Sequence, residues 1–278
     1  MVDGDPGEGD ATVRRIDGHP FAPFQVVGEP QLLSAVRLLA PVLPSKVVAV
    51  GRNYADHVKE MGGEVDLDEP PVVFLKPSTS VVGPGDPVQY PVGVSDDVHY
   101  EGELAIVIAR LCREVPVDRV RDVVLGFTCA NDVTARDLQK TEKQWGRAKG
   151  FDTFCPLGPW IVTPDAIPDP HDLRMELRVN GEVRQESHSR NMSVTIPAIL
   201  SNFSGLGYSA GDVLSTGTVS GVAGFKSPEE RARLYLKPGD VIEAEIERIG
   251  VLRNQVVSWQ EGHGTQPPPR VRPWGEDV

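Results

Sequence analysis

Cysteine is scarce in this chain: there are three, Cys112, Cys129 and Cys155, and no two form a C-x-x-C pair. An odd number at wide spacing argues against a disulfide framework and a zinc knuckle and fits a reducing cytoplasm. All three read as small buried hydrophobes. Long apolar runs are missing too, and without about 18 consecutive apolar residues no membrane span is expected. The opening stretch MVDGDPGEGDATVRR has no apolar core, so it reads as neither signal peptide nor anchor. Positive charge is short: 28 Lys and Arg stand against 40 Asp and Glu, a formal net charge of -12. Such a chain repels phosphate backbones, and with no local basic patch to offset this, nucleic acid is not an expected partner.

What the chain does have is glycine (28) and proline (25) in a 278-residue sequence that is 40% hydrophobic. That combination predicts a packed core built from short strands and many turns. Residues 1–10 read as a disordered leader and residues 1–43 as a small N-terminal appendage. The main domain is expected over 44–258, and 259–278, with Pro267-Pro268-Pro269, as an extended or disordered tail. KVVAVG (46–51), VVFLKP (72–77), HYEGELAIVIAR (99–110) and VVLGFTCAND (123–132) read as strands, most of them buried. A short helix over Tyr54 to Met61 is expected, with Asn53 as its N-cap and Gly62-Gly63 as its stop. A second short helix is expected near Thr134, and another over 193–204 with Pro197 in its first turn. Asn180-Gly181 between LRMELRV and EVRQES predicts a type I′ hairpin. Strands dominate and β-α-β alternation is poor, so the fold class is a β-rich α+β fold.

Two carboxylates, Glu101 and Glu103, stand at i and i+2 of a predicted strand and leave the same face about 7 Å apart. Aimed into one buried site they repel, and a dication would remove that cost. Asp132, at the predicted end of another strand, supplies a third hard oxygen donor. Such a set without Cys or His favours Mg²⁺, Mn²⁺ or Ca²⁺ over zinc. Glu243, Glu245 and Glu247 repeat the spacing, and there the competing reading is a solvated strand face. Gly102, between the first pair, marks a place of close approach by a ligand or backbone. His57 and Glu60, at i and i+3, share a helix face. The pair reads either as an activated general base or as an ordinary surface contact.

GRNYADHVKEMG, FLKPSTS, HYEGELAIVI, NDVTARDLQ, AKGFDTFCPLGPW and TGT-x-SGV follow one another in that order. Together they resemble the fumarylacetoacetate hydrolase family, from about Lys46 to Val257. The resemblance implies a mixed β-sandwich roll, a homodimer, and one Mg²⁺ or Mn²⁺ per subunit held by Glu101, Glu103 and Asp132. It implies His57 and Glu60 as a lid dyad that activates water, and Lys149 as the lysine beside the metal. Arg136, Gln139 and Thr218 match substrate-contacting positions, and Lys76 is a further candidate whose alternative is a snorkelling strand-end lysine. One departure stands out. The family's glycine–threonine–proline turn reads Gly217-Thr218-Val219 here, which predicts a looser Thr218.

The implied chemistry runs on a 2-oxo or 2-hydroxy-dienoic carboxylate or dicarboxylate through a metal-stabilised enolate. The leading expectation is a 2-hydroxyhepta-2,4-diene-1,7-dioate isomerase or decarboxylase type of enzyme in aromatic catabolism. The alternatives are an acylpyruvate or fumarylacetoacetate-type C–C hydrolase, an oxaloacetate decarboxylase, or a non-catalytic metabolite-binding protein on the same fold.

Overall fold

Short apolar runs separated by Gly, Pro, Asn and Asp become strands in the computed structural model, which describes residues 2–4, 10–64, 71–225 and 227–258. Three strands come first: β1 (Val2–Asp3), β2 (Thr12–Asp17) and β3 (Gln25–Leu32), which form an antiparallel sheet of their own. The leader expectation thus meets a paired strand at its start, while residues 5–9 and the tail from 259 lie outside the described residues.

The main body continues with β4 (Val47–Gly51), helix α1 (Ala55–Glu60), β5 (Val72–Lys76), β6 (Val81–Val82), β7 (Val88–Gln89) and β8 (Val98–His99). Next come β9 (Gly102–Ile108), β10 (Val124–Asn131), β11 (Thr134–Ala135), helices α2 (Arg136–Thr141) and α3 (Gly146–Lys149), and β12 (Cys155–Val162). The hairpin β13 (Arg174–Val179) and β14 (Glu182–His188) turns at Asn180 and Gly181, both at positive φ as a type I′ turn requires. Helix α4 (Ile196–Phe203), β15 (Val213–Thr218), helix α5 (Pro228–Leu234), β16 (Val241–Ile246) and β17 (Gly250–Val257) complete the order.

One sheet runs β5-β4-β15-β9-β10-β12-β6, and a second runs β14-β13-β16-β17-β7. Between them lies the main core, with Leu104 and Ile106 from β9, Phe127 and Cys129 from β10, Leu177 from β13, and Ile242, Ala244 and Leu252 from β16 and β17. This is a β-rich α+β fold of two packed sheets with short helices at the edges. The second face of β9 is covered as well: Ala105 and Val107 pack with Val42, Val47, Leu157 and Val213. Burial on both faces explains why LAIVI is continuously apolar rather than alternating. Cys129 and Cys155 are buried free thiols, and Cys112 is half-buried.

Two local expectations change. Helix α1 has Tyr54, not Asn53, at its N-cap, with no side-chain cap. Asn53 is used elsewhere: its amide donates to the Thr216 carbonyl at 2.9 Å and its oxygen accepts the Val194 N–H at 2.9 Å. Instead Asp56 secures the helix, accepting the His57 N–H and the hydroxyls of Ser187 and Ser220. Glu101 is the second case. It lies in the break between β8 and β9, not within a continuous strand.

Candidate active site and metal centre

The break at Glu101 is itself structured. Glu101 N–H donates to the Asn131 side chain at 3.0 Å, and Asp132 N–H donates to the Glu101 carbonyl at 2.8 Å. These bonds tie the start of β9 to the end of β10 and bring Glu101, Glu103 and Asp132 together. Ligand oxygens of the three lie within 4.8 Å of one another, and all three residues are buried. Gly102 is approached closely, though by protein: a Cβ there would sit 3.2 Å from Leu177 Cδ1, and its N–H donates to Gln185.

Buried carboxylates need compensation. Lys149 Nζ donates to Asp132 at 2.5 Å, to Glu101 at 2.8 Å and to the Thr134 hydroxyl at 2.9 Å. Arg136 Nη2 donates to the other Glu101 oxygen, and its Nη1 to Gln139. Lys76 donates to Asp132 and to the Lys149 carbonyl. Burial opposes the charge on Glu101, but Lys149 and then Arg136 override it and hold the carboxyl well below its ordinary range. Burial also works against the Lys149 ammonium, yet Asp132 and Glu101 keep its pKa above the usual value.

Glu103 is treated differently. It receives the Ser215 hydroxyl and the Gly217 N–H at 3.1 Å, both neutral donors. Burial, then the charges of Asp132 and Glu101, push it up to about 8. Three convergent hard oxygen donors, one of them short of countercharge, fit a divalent cation.

The Ser215 and Gly217 contacts arise from an irregularity in β15, where pairing with β9 shifts register between Ser215 and Thr218. Gly217 takes φ +94°, and a Cβ there would lie 2.8 Å from the Val50 carbonyl. Glycine is thus required at this position, for conformation and for space. Ser215 and the Gly217 amide were not singled out in the sequence; the signal available was a glycine interrupting a strand. The loosening predicted for Thr218 does not occur. Its hydroxyl donates to the Gly102 carbonyl at 3.1 Å and accepts from Gln185 at 2.9 Å, and Val219 is buried.

The cluster opens into a cleft of about 260 Å³, also lined by His57, Arg52, Gln139, Trp145 and Thr218. His57 Nδ1 faces Glu60 at 3.5 Å, and Glu60 accepts the Gly221 N–H at 3.0 Å. Phe74 and Trp145 meet edge to face, with Lys149 Nζ 4.9 Å from the Phe74 ring centroid. Lys76 is 1% exposed, sits behind Asp132 and is not part of the cleft lining. Of the repeated glutamates, Glu243 and Glu245 form a charged strand face, flanking Arg178, with Glu243 also facing Arg253, while Glu247 lies past β16 and accepts the Arg174 N–H at 3.0 Å.

Comparison with known proteins agrees with this geometry. The family described as fumarylacetoacetate (FAA) hydrolase C-terminal matches residues 46–257, and an Rv2993c-like N-terminal family matches residues 2–41. Protein Rv2993c of Mycobacterium tuberculosis is 47% identical over 92% of both chains. Oxaloacetate tautomerase YisK of Bacillus subtilis is 43% identical over 81% of this chain and 74% of its own. Among solved structures, 5-carboxymethyl-2-hydroxymuconate delta-isomerase from Mycobacterium smegmatis superposes with a TM-score of 0.80 at 44% identity, covering 93% of this chain and 94% of its own. Among the described residues, no helix is long and apolar enough to cross a membrane. By sequence, by fold and by its buried acidic triad, the chain belongs to the fumarylacetoacetate hydrolase family.

Proposed function

We propose that this chain is a Mg²⁺- or Mn²⁺-dependent enzyme that moves a proton on a small 2-oxo dicarboxylate, by keto–enol tautomerisation or double-bond isomerisation. The observation that carries this is the pairing of one imidazole, His57 backed by Glu60, with a cationic, carboxylate-walled cleft. Within the buried cluster, three carboxylates are matched by Lys76, Lys149 and Arg136, so a bound dication would leave two positive charges uncompensated there, and Arg52 and Lys140 also line the cleft. A dianionic ligand answers that excess. The tautomerase and isomerase names carried by similar proteins support the same class.

Glu101, Glu103 and Asp132 would hold the cation, which when bound supplies Lewis acidity to the oxygens of a 2-oxo acid. His57 takes the proton from the carbon beside the oxo group. Glu60 steadies the imidazolium that forms. Negative charge then develops on the 2-oxygen, and the Lys149 ammonium offsets it from the floor of the cleft. Arg136 and Gln139 bind carboxylate oxygens, and Thr218 shapes the wall. Return of the proton from His57 to oxygen or to another carbon completes the shift. We also infer a homodimer: β5 is an edge strand, and its Val73 and Leu75 are 38% and 50% exposed.

The test is an assay of metal-stripped protein with and without Mn²⁺, on oxaloacetate, 5-carboxymethyl-2-hydroxymuconate and acetylpyruvate. Mn²⁺-dependent enol–keto exchange or isomerisation, lost in Glu103→Ala and His57→Ala, supports the proposal. Cleavage of acetylpyruvate instead would move the assignment to C–C hydrolysis, with His57 activating water, and release of CO₂ from oxaloacetate to decarboxylation. No turnover, with no Mn²⁺ bound by calorimetry, would leave a metabolite-binding protein on the same fold.

A further inference from the structure

One buried histidine is not used by the chemistry above. His99 ends β8, is 0% exposed, and lies directly behind Arg136. Arg136 Nε–H donates to His99 Nδ1 at 3.3 Å, and His99 Nε2 faces the Asp97 carboxylate. A guanidinium can only donate, so Nδ1 must carry a lone pair. The ring proton therefore sits on Nε2 and is donated to Asp97.

The ring is held in this orientation from several sides. Tyr235 stacks on it with centroids 5.0 Å apart and planes at 28°. Gly224 passes so close that a Cβ there would lie 2.9 Å from His99 Cε1. Pairing of β8 with β11 sets His99 opposite Thr134, two residues before Arg136.

We infer that His99 is a positioning residue for Arg136. In its neutral Nε2–H form it accepts the Arg136 Nε–H and thereby aims the Nη1 and Nη2 groups at Gln139, Glu101 and the cleft. Asp97 fixes the tautomer, and Tyr235 and Gly224 fix the ring plane. A ring that presented a proton to Arg136, or no ring nitrogen at all, would remove the acceptor that the Nε–H has in this structure and loosen the aim of the side chain. The inference rests on the reading that Arg136 binds a substrate carboxylate.

Three substitutions separate positioning from bulk. In His99→Asn the amide oxygen takes the place of Nδ1 and still accepts from Arg136. His99→Gln reaches Asp97 but removes the Nδ1 acceptor of the Arg136 Nε–H, and His99→Phe keeps only the stack on Tyr235. At saturating Mn²⁺, His99→Gln and His99→Phe are expected to raise KM for the dicarboxylate roughly tenfold to a hundredfold, the scale of one lost buried bond to a charged group. His99→Asn is expected to stay within about threefold of wild type. In an Arg136→Met background, His99→Phe should change KM no further. Wild-type KM in His99→Gln and His99→Phe, or full additivity with Arg136→Met, overturns the inference. A second readout needs no substrate: ¹⁵N shifts of the His99 ring in the apo protein, assigned by their loss in His99→Asn. An Nε2–H tautomer supports positioning, and a proton on Nδ1 overturns it. Absence of Mn²⁺-dependent turnover in wild type would sink the functional reading while leaving the tautomer result standing.

Discussion

Replacing Lys76 with methionine separates two roles for a lysine that the family motif places near substrate. Its ammonium is enclosed, shared by Asp132, the Lys149 carbonyl and, at 3.4 Å, the Val133 carbonyl. Methionine fills similar volume but removes the charge and all three donors. Breaking a buried ion pair from one side costs about 3–5 kcal/mol. Asp132 retains Lys149 at 2.5 Å, so the lower end, about 3 kcal/mol, is expected. That is a change of roughly 150-fold in the unfolding constant, read as a lower urea midpoint at unchanged slope. The loss should be largest in the metal-free protein and shrink with excess Mn²⁺, because a cation on Asp132 replaces the missing charge. At saturating Mn²⁺, KM for the dicarboxylate should stay within about twofold of wild type, since Lys76 does not line the cleft. A stability loss under about 1 kcal/mol joined to a tenfold rise in KM would refute this reasoning and return Lys76 to the substrate.

Three further outcomes follow from the same geometry. Glu103, pushed up to about 8, carries a proton at neutral pH that a cation must displace. Calorimetry should therefore show Mn²⁺ affinity falling about tenfold per pH unit below that value and levelling off above it; a flat profile from pH 6 to 8 counts against the account. Asp212 accepts from Lys46, Ser45 and the Ser209 N–H. Burial opposes its charge, but these partners hold its pKa below the ordinary range. A carboxyl depressed in the fold contributes stability above its unfolded pKa of about 3.9, and that contribution is lost as pH falls through the folded value. Asp212→Asn should cost roughly 2–3 kcal/mol at pH 7 and flatten the acid limb of a thermal-melt series, whereas an unchanged acid limb would show that Asp212 adds nothing there. Arg52 lines the cleft, is exposed at φ +62°, and has no ion-pair partner among the described residues. Arg52→Met should raise KM about tenfold for oxaloacetate and leave acetylpyruvate, with one carboxylate, unaffected; an equal effect on both would rule out reading of a second carboxylate.

The strands were legible because they are short runs of Val, Ile, Leu and Ala stopped by Gly or Asp, and the Asn180-Gly181 hairpin because few sequences tolerate two successive positive φ values. Asn53 misled because capping propensity is local, whereas the pull on its amide comes from Thr216 and Val194, over a hundred residues away in sequence. Thr218 misled for a related reason. A missing proline loosens a free turn, but Gln185 and the Gly102 carbonyl hold this one from outside. Within the site, the acidic residues could be proposed from spacing and order. Their neutral partners, Ser215 and the Gly217 amide, could not, because the contact depends on where β15 slips register against β9.

Spacing alone does not distinguish Glu101 and Glu103 from Glu243 and Glu245, since both pairs stand at i and i+2. The difference lies in what compensates them. Arg178 and Arg253 meet the second pair across neighbouring strands, on a face that still reaches solvent. Lys149 and Arg136 reach Glu101, and Lys76 and Lys149 reach Asp132, from three separate segments, and every one of these groups is buried. Taking three cations and three carboxyl groups, two of them ionised before a cation binds, out of water together is expensive, and an apolar filling of the same volume often serves stability as well. Stability alone therefore gives little reason for this cluster, whereas the dication and dianion of the proposed function would complete its charge balance. Glu103 is the sharpest part of that case: of the three carboxylates it alone has no cationic donor among the described residues. It is therefore the ligand whose replacement should separate metal binding from the integrity of the fold.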